Sequence, residues 1–308
     1  MEATLGVDLG GTKLLATASD RTENVVASFQ HATGPAFRPE QMLTVLRSIL
    51  AKLSTSGVRV QRVGIGFPGL VERHSGRVHS SVILPTWRDY PLAERVEDDL
   101  GVRCYVDNDV NVAARAEARE RNLGRGDSML FVSIGTGVGG ALVLDGRIWE
   151  GASGLAGEIG HVSISRTGPR CLCGRRGCVN LFASGTAIER QLRHQSAGVA
   201  LAHKRDPSVV SVVRKAAQAL GIAVGSAMNL LNPTLVVLGG GVAQYGAAYL
   251  EAVRDAVARE AFPEIAQACR VELTRAGYAA GAYGATILAG EAEVRSRTAG
   301  PALARPSH

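Results

Sequence analysis

Several features that mark membrane, secreted and nucleic-acid-binding proteins are missing from this sequence. Its 308 residues contain no run of roughly eighteen apolar residues, so we expect no membrane span. The opening MEATLGVDLGGTK lacks the basic region and apolar stretch of a signal peptide, which predicts a cytoplasmic protein. Lysines number only four and the arginines are scattered, so the net charge of +6 forms no basic stripe. We therefore expect no nucleic-acid partner, although the excess charge can help attract a polyphosphate.

Cysteine is also scarce, with five in the whole chain. In a cytoplasmic protein this number argues against a disulfide framework. Cys104 and Cys269 stand alone in apolar runs, which predicts buried free thiols. The other three share the stretch HVSISRTGPRCLCGRRGC with a histidine, and these four residues can form a tetrahedral zinc site. A cluster of free thiols is the alternative. The candidate ligands are His161, Cys171, Cys173 and Cys178.

The chain does contain a repeated strand–turn–strand pattern. LGVDLGGTKLLATAS places a Gly-Gly turn between two apolar strands, and FVSIGTGVGGALVL repeats the design about 125 residues later. Such internal similarity predicts a duplicated domain. Apolar residues at helical spacing predict helices over residues 40–56 and 209–231, and AAGAYGATILAG predicts a small-residue helix. Strands that alternate with helices indicate an α/β fold.

Three glycine-rich segments are candidate phosphate-binding loops. Glycine permits close backbone approach to a ligand, and successive N–H groups can form a concave anion site. Each segment alone is a weak signal, because a Gly-Gly turn between strands is often a plain hairpin. GGG at 239–241 is also predicted to open a helix whose amides favour phosphate. The candidate contacts are Asp8, Gly10, Gly11, Thr12 and Lys13, then Gly135, Thr136 and Gly137, and finally Gly239, Gly240 and Gly241.

Two common nucleotide folds do not fit these segments. Neither DLGGTK nor IGTGVGG matches G-x-G-x-x-G followed by a helix, as a dinucleotide fold requires, and both are followed by apolar strands. The GxxxxGK[ST] pattern of a P-loop is absent as well. Two glycine turns on duplicated strand pairs indicate instead an actin-like kinase fold, in which ATP lies between two related domains.

Together with further motifs in the same order, these segments resemble the ROK family of bacterial sugar kinases and repressors. The similarity covers about residues 4–290 and comprises GVDLGGTK, GIGFPG, NDVNVAARAE, SIGTGVGGALV, GxxGLAGEIGHV, CLCGRRGC, ASG and VVLGGGV. Repressor members carry an N-terminal helix-turn-helix, whereas here the first loop begins by residue 6, so we expect an enzyme. The resemblance implies a duplicated actin-like (RNase H-like) two-domain α/β kinase fold with an interdomain cleft. It also implies ATP and Mg²⁺ as cofactors, a structural Zn²⁺ and a homodimer.

The resemblance suggests where the domains divide. Residues 1–108 would form a smaller N-terminal α/β domain. Residues 109–290 would form a larger C-terminal domain with the zinc loop and most of the nucleotide site. Residues 291–308 would be a polar tail that is frayed.

The resemblance also assigns roles in phosphoryl transfer to a sugar hydroxyl. Asp109 would accept the proton of the 6-hydroxyl, although its place at a predicted helix start also suits a simple N-cap. The zinc would be structural and would fix the loop that carries Glu158. Independently of the resemblance, the carboxylate of Asp8 in the DLGGTK turn is a candidate partner of Mg²⁺ through water. The predicted sugar contacts are Gly66, Pro68, Gly69, Asn108, Asp109, Glu158, His161 and Asn180.

The sequence departs from the family at two predicted sugar positions. Typical members have a Glu two residues after the last cysteine of the zinc motif, where this chain has Asn180. They also have an Asn in a stretch like PNLPGW, where VILPTW places Ile83. These changes suggest an altered sugar, such as a 3-amino-glucose or an N-acylated hexosamine, or neutral drift with glucose still accepted.

Two other functions stay open at this point. One is a sugar-responsive regulator that has lost catalysis, which the Asn108-Asp109 pair and the missing DNA-binding segment oppose. The other is a zinc-dependent hydrolase, for which metal removal would abolish the chemistry without disturbing the fold.

Overall fold

The computed structural model describes residues 1–195, 204, 206–277 and 279–298. The chain forms two compact units, of which unit 1 combines Met1–Glu117 with the chain from Ala276 onward and unit 2 is Ala118–Arg275. Each unit has its own buried apolar core. The division therefore differs from the one expected from the sequence, because the first turns of the helix after residue 108 and the last described helix pack with unit 1.

Strands and helices alternate along the described residues. The strands are β1 Glu2–Leu9, β2 Lys13–Ser19, β3 Val25–Ala32, β4 Arg59–Phe67, β5 Leu70–Glu72, β6 Arg77–Ser80, β7 Arg88–Tyr90, β8 Arg103–Asn108, β9 Ser128–Ile134, β10 Val138–Leu144, β11 Arg147–Trp149, β12 Leu235–Gly239 and β13 Arg270–Leu273. The helices are α1 Pro39–Thr55, α2 Leu92–Leu100, α3 Asp109–Glu120, α4 Asn180–Ala183, α5 Gly185–Gln195, α6 Pro207–Leu231, α7 Ala247–Glu260, α8 Pro263–Ala268 and α9 Ala280–Thr298.

The two large sheets have the same topology. Unit 1 contains the order β3-β2-β1-β4-β8 and unit 2 the order β11-β10-β9-β12-β13. In each sheet the middle strand, β1 or β9, divides the pairing: the strands before it in the order pair antiparallel and those after it pair parallel. This shared pattern confirms the duplication predicted from the repeated strand–turn–strand motif.

Parallel pairing places the functional segments at one edge of each sheet. In unit 1, β1, β4 and β8 run in the same direction, so their carboxyl ends meet at one edge. In unit 2, β9 and β12 do the same. Loops at the carboxyl ends of parallel strands are the usual place for ligands in open α/β sheets.

Helix α6 is the central helix of unit 2. It is long and apolar enough, by length and composition, to cross a membrane, and 56% of its apolar window is buried. Its buried side chains include Val212, Leu220 and Met228, and Gly221 and Gly225 allow α7 to approach closely. Its buried face therefore belongs to the core of unit 2, although Leu230 near its end is exposed.

Helix α9 covers one face of the unit 1 sheet with small residues. A methyl group on Gly6 would overlap the carbonyl oxygen of Ala282, and one on Gly64 would overlap that of Ala285. The helix continues to Thr298, so the predicted polar tail from residue 291 begins as helix. The rest of that tail, from residue 299, lies outside the described residues.

Candidate active site and metal centre

Two carboxylates lie together at the carboxyl edge of the unit 1 sheet. Asp8 pairs in register with Gly66 on the neighbouring strand, and α3 begins at Asp109 directly after β8. A methyl group in place of a Gly66 hydrogen would lie 3.5 Å from Asp109 Cα and 3.7 Å from Asp8 Oδ1. The same methyl group would lie only 2.5 Å from Val112 Cγ2, so glycine is the residue that fits between the two acids.

The environment raises the pKa of both acids. Burial, and then the charge of Asp8, raises the pKa of Asp109 to about 7, against a smaller opposing effect of the Val110 backbone N–H. Burial also raises the pKa of Asp8 to about 6, and the charge of Lys13 partly offsets this. A carboxyl group with a pKa near 7 is suited to accept a proton at neutral pH. Such shifts are typical of functional sites.

A buried ion-pair network fixes the turn that carries Asp109. Asp107 Oδ1 accepts hydrogen bonds from the Asn108 backbone N–H and from Asn111 Nδ2, both at 2.8 Å. Its Oδ2 lies 2.8 Å from Arg115 Nη1, and both side chains are almost fully buried. Asp107 and Arg115 were not predicted from the sequence, because two charges eight residues apart carry no recognisable spacing signal.

Asn108 connects this turn to the GFPG loop. Its Oδ1 accepts from the Val110 backbone N–H at 2.9 Å, and its Nδ2 donates to the Gly69 carbonyl at 3.1 Å. The loop is held further by Ser81 Oγ, which donates to the Pro68 carbonyl at 2.5 Å. Gly66, Pro68, Gly69, Asn108 and Asp109 are thus brought together in unit 1, as the predicted sugar contacts require. A contact of each with sugar stays a prediction.

The first glycine-rich segment forms the tight turn between β1 and β2. Gly10 N–H donates to the Lys13 carbonyl at 2.8 Å, and Thr33 Oγ1 donates to the Gly10 carbonyl at 2.7 Å. Ile83 packs directly over Gly11. The residue at this family-divergent position therefore contacts the predicted phosphate loop.

The second and third glycine-rich segments lie side by side in unit 2. Gly135–Gly137 follows β9, and Gly240, with φ of +84°, packs directly on the Ile134 backbone. The predicted helix at 239–241 is corrected, because a single 3₁₀ turn, Val242–Tyr245, follows the glycines. Helix α7 begins only at Ala247, after Gly246 interrupts the chain with φ of +75°. A strong helix N-terminus at these glycines is therefore absent.

Glu158 and His161 occupy one turn, as their spacing predicts. A 3₁₀ turn covers Ile159–His161, and His161 Nε2 lies 3.9 Å from Glu158 Oε2. Two glycines press this turn onto β10: a methyl group on Gly160 would overlap the Val138 carbonyl, and one on Gly157 would overlap that of Gly140. The turn is consequently tied to the strand that leaves the second glycine-rich segment.

The predicted metal ligands converge. The four ligand atoms all lie within 4.8 Å of one another. Cys171 Sγ is 3.6 Å from His161 Nδ1, and Cys173 Sγ is 3.5 Å from Cys178 Sγ. The edges of a tetrahedral zinc site with sulfur and nitrogen ligands measure about 3.5–3.8 Å, so the donor set fits Zn²⁺. Cys104 and Cys269 are buried elsewhere, as predicted.

The acidity of one thiol also suits a metal ligand. The pKa of Cys173 is lowered to about 7, chiefly by a hydrogen bond from the Arg175 backbone N–H. Gly174 and Gly177 adopt φ of +87° and +69°, which lets the loop turn between the cysteines. Because His161 offers Nδ1 to this cluster, its Nε2 is directed to the Glu158 side, the arrangement that orients metal-bound histidines.

The sheet topology and the paired glycine turns define an actin-like ATPase fold, and known proteins agree with it. The crystal structure of a ROK family glucokinase from Streptomyces griseus in complex with glucose and AMPPNP superposes with a TM-score of 0.81, at 29% identity over 94% of this chain and 99% of that chain. The crystal structure of ROK hexokinase from Thermus thermophilus gives a TM-score of 0.80 at 31% identity over 96% of this chain and 99% of that one.

Sequence comparison gives the family. The ROK family model matches residues 4–292, and the chain belongs to the ROK family. It is 32% identical to glucokinase from Halalkalibacterium halodurans, over 91% of this chain and 92% of that protein. It is 33% identical to N-acetylmannosamine kinase from Citrobacter koseri, over 93% and 98%. It is also 25% identical to the xylose repressor of Bacillus subtilis, over 85% and 70%.

Proposed function

We propose that the protein is an ATP-dependent sugar kinase that phosphorylates the 6-hydroxyl of a glucose-like hexose or amino sugar. The observation that carries this proposal is the position of Asp109, a half-buried residue whose pKa is raised to about 7, beside Asp8 and the GFPG loop. The glucokinase and N-acetylmannosamine kinase relatives support sugars as the substrate class. The AMPPNP complex of the related glucokinase supports ATP as the phosphoryl donor.

Phosphoryl transfer needs a positioned hydroxyl and a group that accepts its proton. In the proposed reaction the sugar O6 attacks the γ-phosphorus, its proton passes to Asp109 Oδ, and the bond from the γ-phosphorus to the β,γ-bridging oxygen breaks to release ADP. Asp107, Arg115 and Asn108 hold Asp109 in place, since the Asp107–Arg115 ion pair and the hydrogen bonds of Asp107 Oδ1 and Asn108 Oδ1 fix the turn between β8 and α3. Preorganisation of this kind lowers the barrier without further movement.

The remaining polar groups receive supporting roles. Asp8 would hold Mg²⁺ through water, and a bound cation would favour its charged form. Backbone N–H groups of the glycine-rich segments would bind phosphate oxygens. Glu158 would contact sugar hydroxyls, and a structural zinc at His161 and the three cysteines would fix its turn. A homodimer and a cytoplasmic location stay predictions.

The divergent positions favour an amino sugar as the second candidate substrate. Ile83 cannot form a hydrogen bond, and Asn180 offers an amide where relatives have a carboxylate. A pocket that loses one hydrogen-bonding group discriminates against the substrate that needs it. Glucose stays the first candidate because the glucokinase relatives cover nearly the whole chain.

A panel of sugars tests the proposal directly. We expect ATP- and Mg²⁺-dependent ADP release with at least one of glucose, mannose, glucosamine, N-acetylglucosamine, N-acetylmannosamine and 3-amino-3-deoxyglucose, measured by a coupled assay. NMR of the product should place the phosphate on O6. An enzyme that binds these sugars but releases no ADP would be the sugar-responsive regulator instead.

Metal removal should affect structure before chemistry. One equivalent of zinc should be released when the protein is treated with a thiol-modifying reagent, and Co²⁺ reconstitution should give the absorption of a thiolate complex. Cys171→Ser should lower the bound metal severalfold, whereas Cys269→Ser, a buried cysteine outside the cluster, should leave it at one equivalent. Metal content that is the same in both variants would contradict the assignment.

A further inference from the structure

The residues that follow the metal loop hold the second glycine-rich segment by three hydrogen bonds. Asn180 Oδ1 accepts from the Val138 backbone N–H at 2.8 Å. Gly185 N–H donates to the Gly135 carbonyl at 2.8 Å. Thr186 Oγ1 donates to the Thr136 carbonyl at 2.9 Å. Gly135, Thr136 and Val138 are thus each bonded by a residue of the same short stretch, Asn180–Thr186.

Gly137 is also in contact with this stretch. A methyl group in its place would lie 3.3 Å from Asn180 Oδ1, so the amide sits against the inner side of the turn. Within the turn, Gly135 N–H donates to the Gly137 carbonyl at 2.8 Å. The amide oxygen of Asn180 therefore fixes the orientation of the peptide that enters β10.

The position of Asn180 is itself fixed by the metal loop. It follows Cys178 by two residues, and the intervening Val179 is fully buried. The Val179 N–H donates to the Val162 carbonyl at 2.9 Å, one residue after His161. The side chain is therefore held on a rigid base, which makes it suited to position another segment.

We propose that Asn180 and Thr186 are positioning residues for the phosphoryl donor, and that they set the affinity for the nucleotide by holding the Gly135–Val138 turn. The inference rests on the proposed kinase function, since it takes this turn as a phosphate-binding loop. It differs from the sugar contact predicted for Asn180, because the amide oxygen is already used by the Val138 N–H. A loop held in its binding conformation spares the nucleotide the cost of ordering it.

Calorimetric titration with MgADP in the absence of sugar tests whether Asn180 positions the nucleotide loop, separately from any contact of Asn180 with sugar. Asn180→Leu should weaken MgADP binding about tenfold, because a backbone N–H loses its acceptor and the turn its restraint. Thr186→Val should weaken it severalfold, and Thr186→Ser, which keeps the hydroxyl, should restore it. In steady-state assays Thr186→Val should raise the KM for ATP while kcat and the KM for sugar stay within about twofold.

Asn229→Leu is the matched control. Asn229 also uses its side chain to bond backbone in unit 2, with its Nδ2 donating to the Glu260 carbonyl and its Oδ1 accepting from the Phe262 N–H. Its loss should reduce thermal stability and leave the MgADP affinity unchanged. If Asn180→Leu and Thr186→Val bind MgADP as tightly as the wild type, or if Asn229→Leu weakens binding equally, the inference is wrong.

The same measurements keep this inference distinct from the proposed function. A wild-type protein that binds MgADP but phosphorylates no sugar would contradict the kinase proposal. The MgADP affinities of the Asn180 and Thr186 variants would then still decide whether these residues position the nucleotide. A wild-type kinase with unaltered variants would overturn the role of Asn180 alone. A wild-type protein with neither binding nor turnover overturns both.

Discussion

Asp109→Asn should lower kcat about 10³-fold, because the variant keeps the shape of the side chain but has no oxygen able to accept the proton of the sugar hydroxyl. The KM values for sugar and ATP should change much less, since the amide can still form hydrogen bonds. Turnover is measured by ADP release with the preferred sugar of the panel.

Asp98→Asn is the control for this substitution. Asp98 is an exposed acid on α2 in the same unit, so its replacement changes the charge equally and should leave kcat unaltered. Melting temperatures of both variants show whether the fold is kept. A kcat for Asp109→Asn within about tenfold of the wild type would remove Asp109 from the role of general base.

The pH profile gives an independent check on the same group. A base works only when it is deprotonated, and the pKa of Asp109 is raised to about 7 by burial and by Asp8. The value of kcat/KM should therefore fall below about pH 7, approaching about tenfold per pH unit, and level off above it. Residual activity of Asp109→Asn should lack this limb. A wild-type profile that stays flat down to pH 5 would contradict the assignment.

Gly284→Ala should destabilise unit 1 by about 3 kcal/mol. Gly284 lies on the face of α9 that packs against α3, and its added methyl group would overlap the Val112 carbonyl oxygen, which is backbone and cannot move aside. The helices would have to separate, and α3 begins at Asp109. Catalysis should consequently fall along with stability.

Gly290→Ala in the same helix is the matched control. No atom lies within 4 Å of the position that its methyl group would take, so the substitution should stabilise the helix by about 0.5–1 kcal/mol. Urea unfolding is followed by fluorescence in a Trp149→Phe background, which leaves the buried Trp87 of unit 1 as the reporter. Equal midpoints for the two glycine variants would show that the α9–α3 contact is not close.

Local sequence pattern was sufficient to predict the long helices and the repeated strand pairs. The helices predicted at 40–56 and 209–231 are Pro39–Thr55 and Pro207–Leu231, because apolar residues at helical spacing face the core of their own unit. The repeated strand–turn–strand pattern predicted the duplication, which the identical strand orders confirm. In both cases the signal lies within a short window of residues.

The division into two units could not be predicted from local sequence pattern. Helix α9 joins unit 1 although more than 150 residues separate it from α3, and its packing depends on Gly6 and Gly64, whose partners are distant in the sequence. The prediction at residues 239–241 failed for a different reason. Gly240 and Gly246 both adopt positive φ, and this breaks a pattern that otherwise favours a helix.

The metal cluster of the candidate site was predicted from sequence, whereas two of its supporting contacts were missed. His161 and the three cysteines were found because their residue types and spacing are specific to metal sites, and they converge as expected. The Asp107–Arg115 pair was not predicted because two charges eight residues apart carry no recognisable spacing signal. The bond from Asn180 to Val138 was not predicted because it depends on how two distant segments meet. Asn180, which the sequence predicted as a sugar contact, thus forms a hydrogen bond within the protein, to the Val138 N–H.

The return of the chain to unit 1 has a consequence for its biosynthesis. A ribosome releases β1 and β4 early, but their cover, α9, leaves the exit tunnel only after the whole of unit 2 has been translated. Unit 2 is continuous and can fold while translation is still under way. Asp8 and Asp109 of unit 1 therefore acquire their final surroundings last. Chains truncated before α9 would be unable to catalyse phosphoryl transfer.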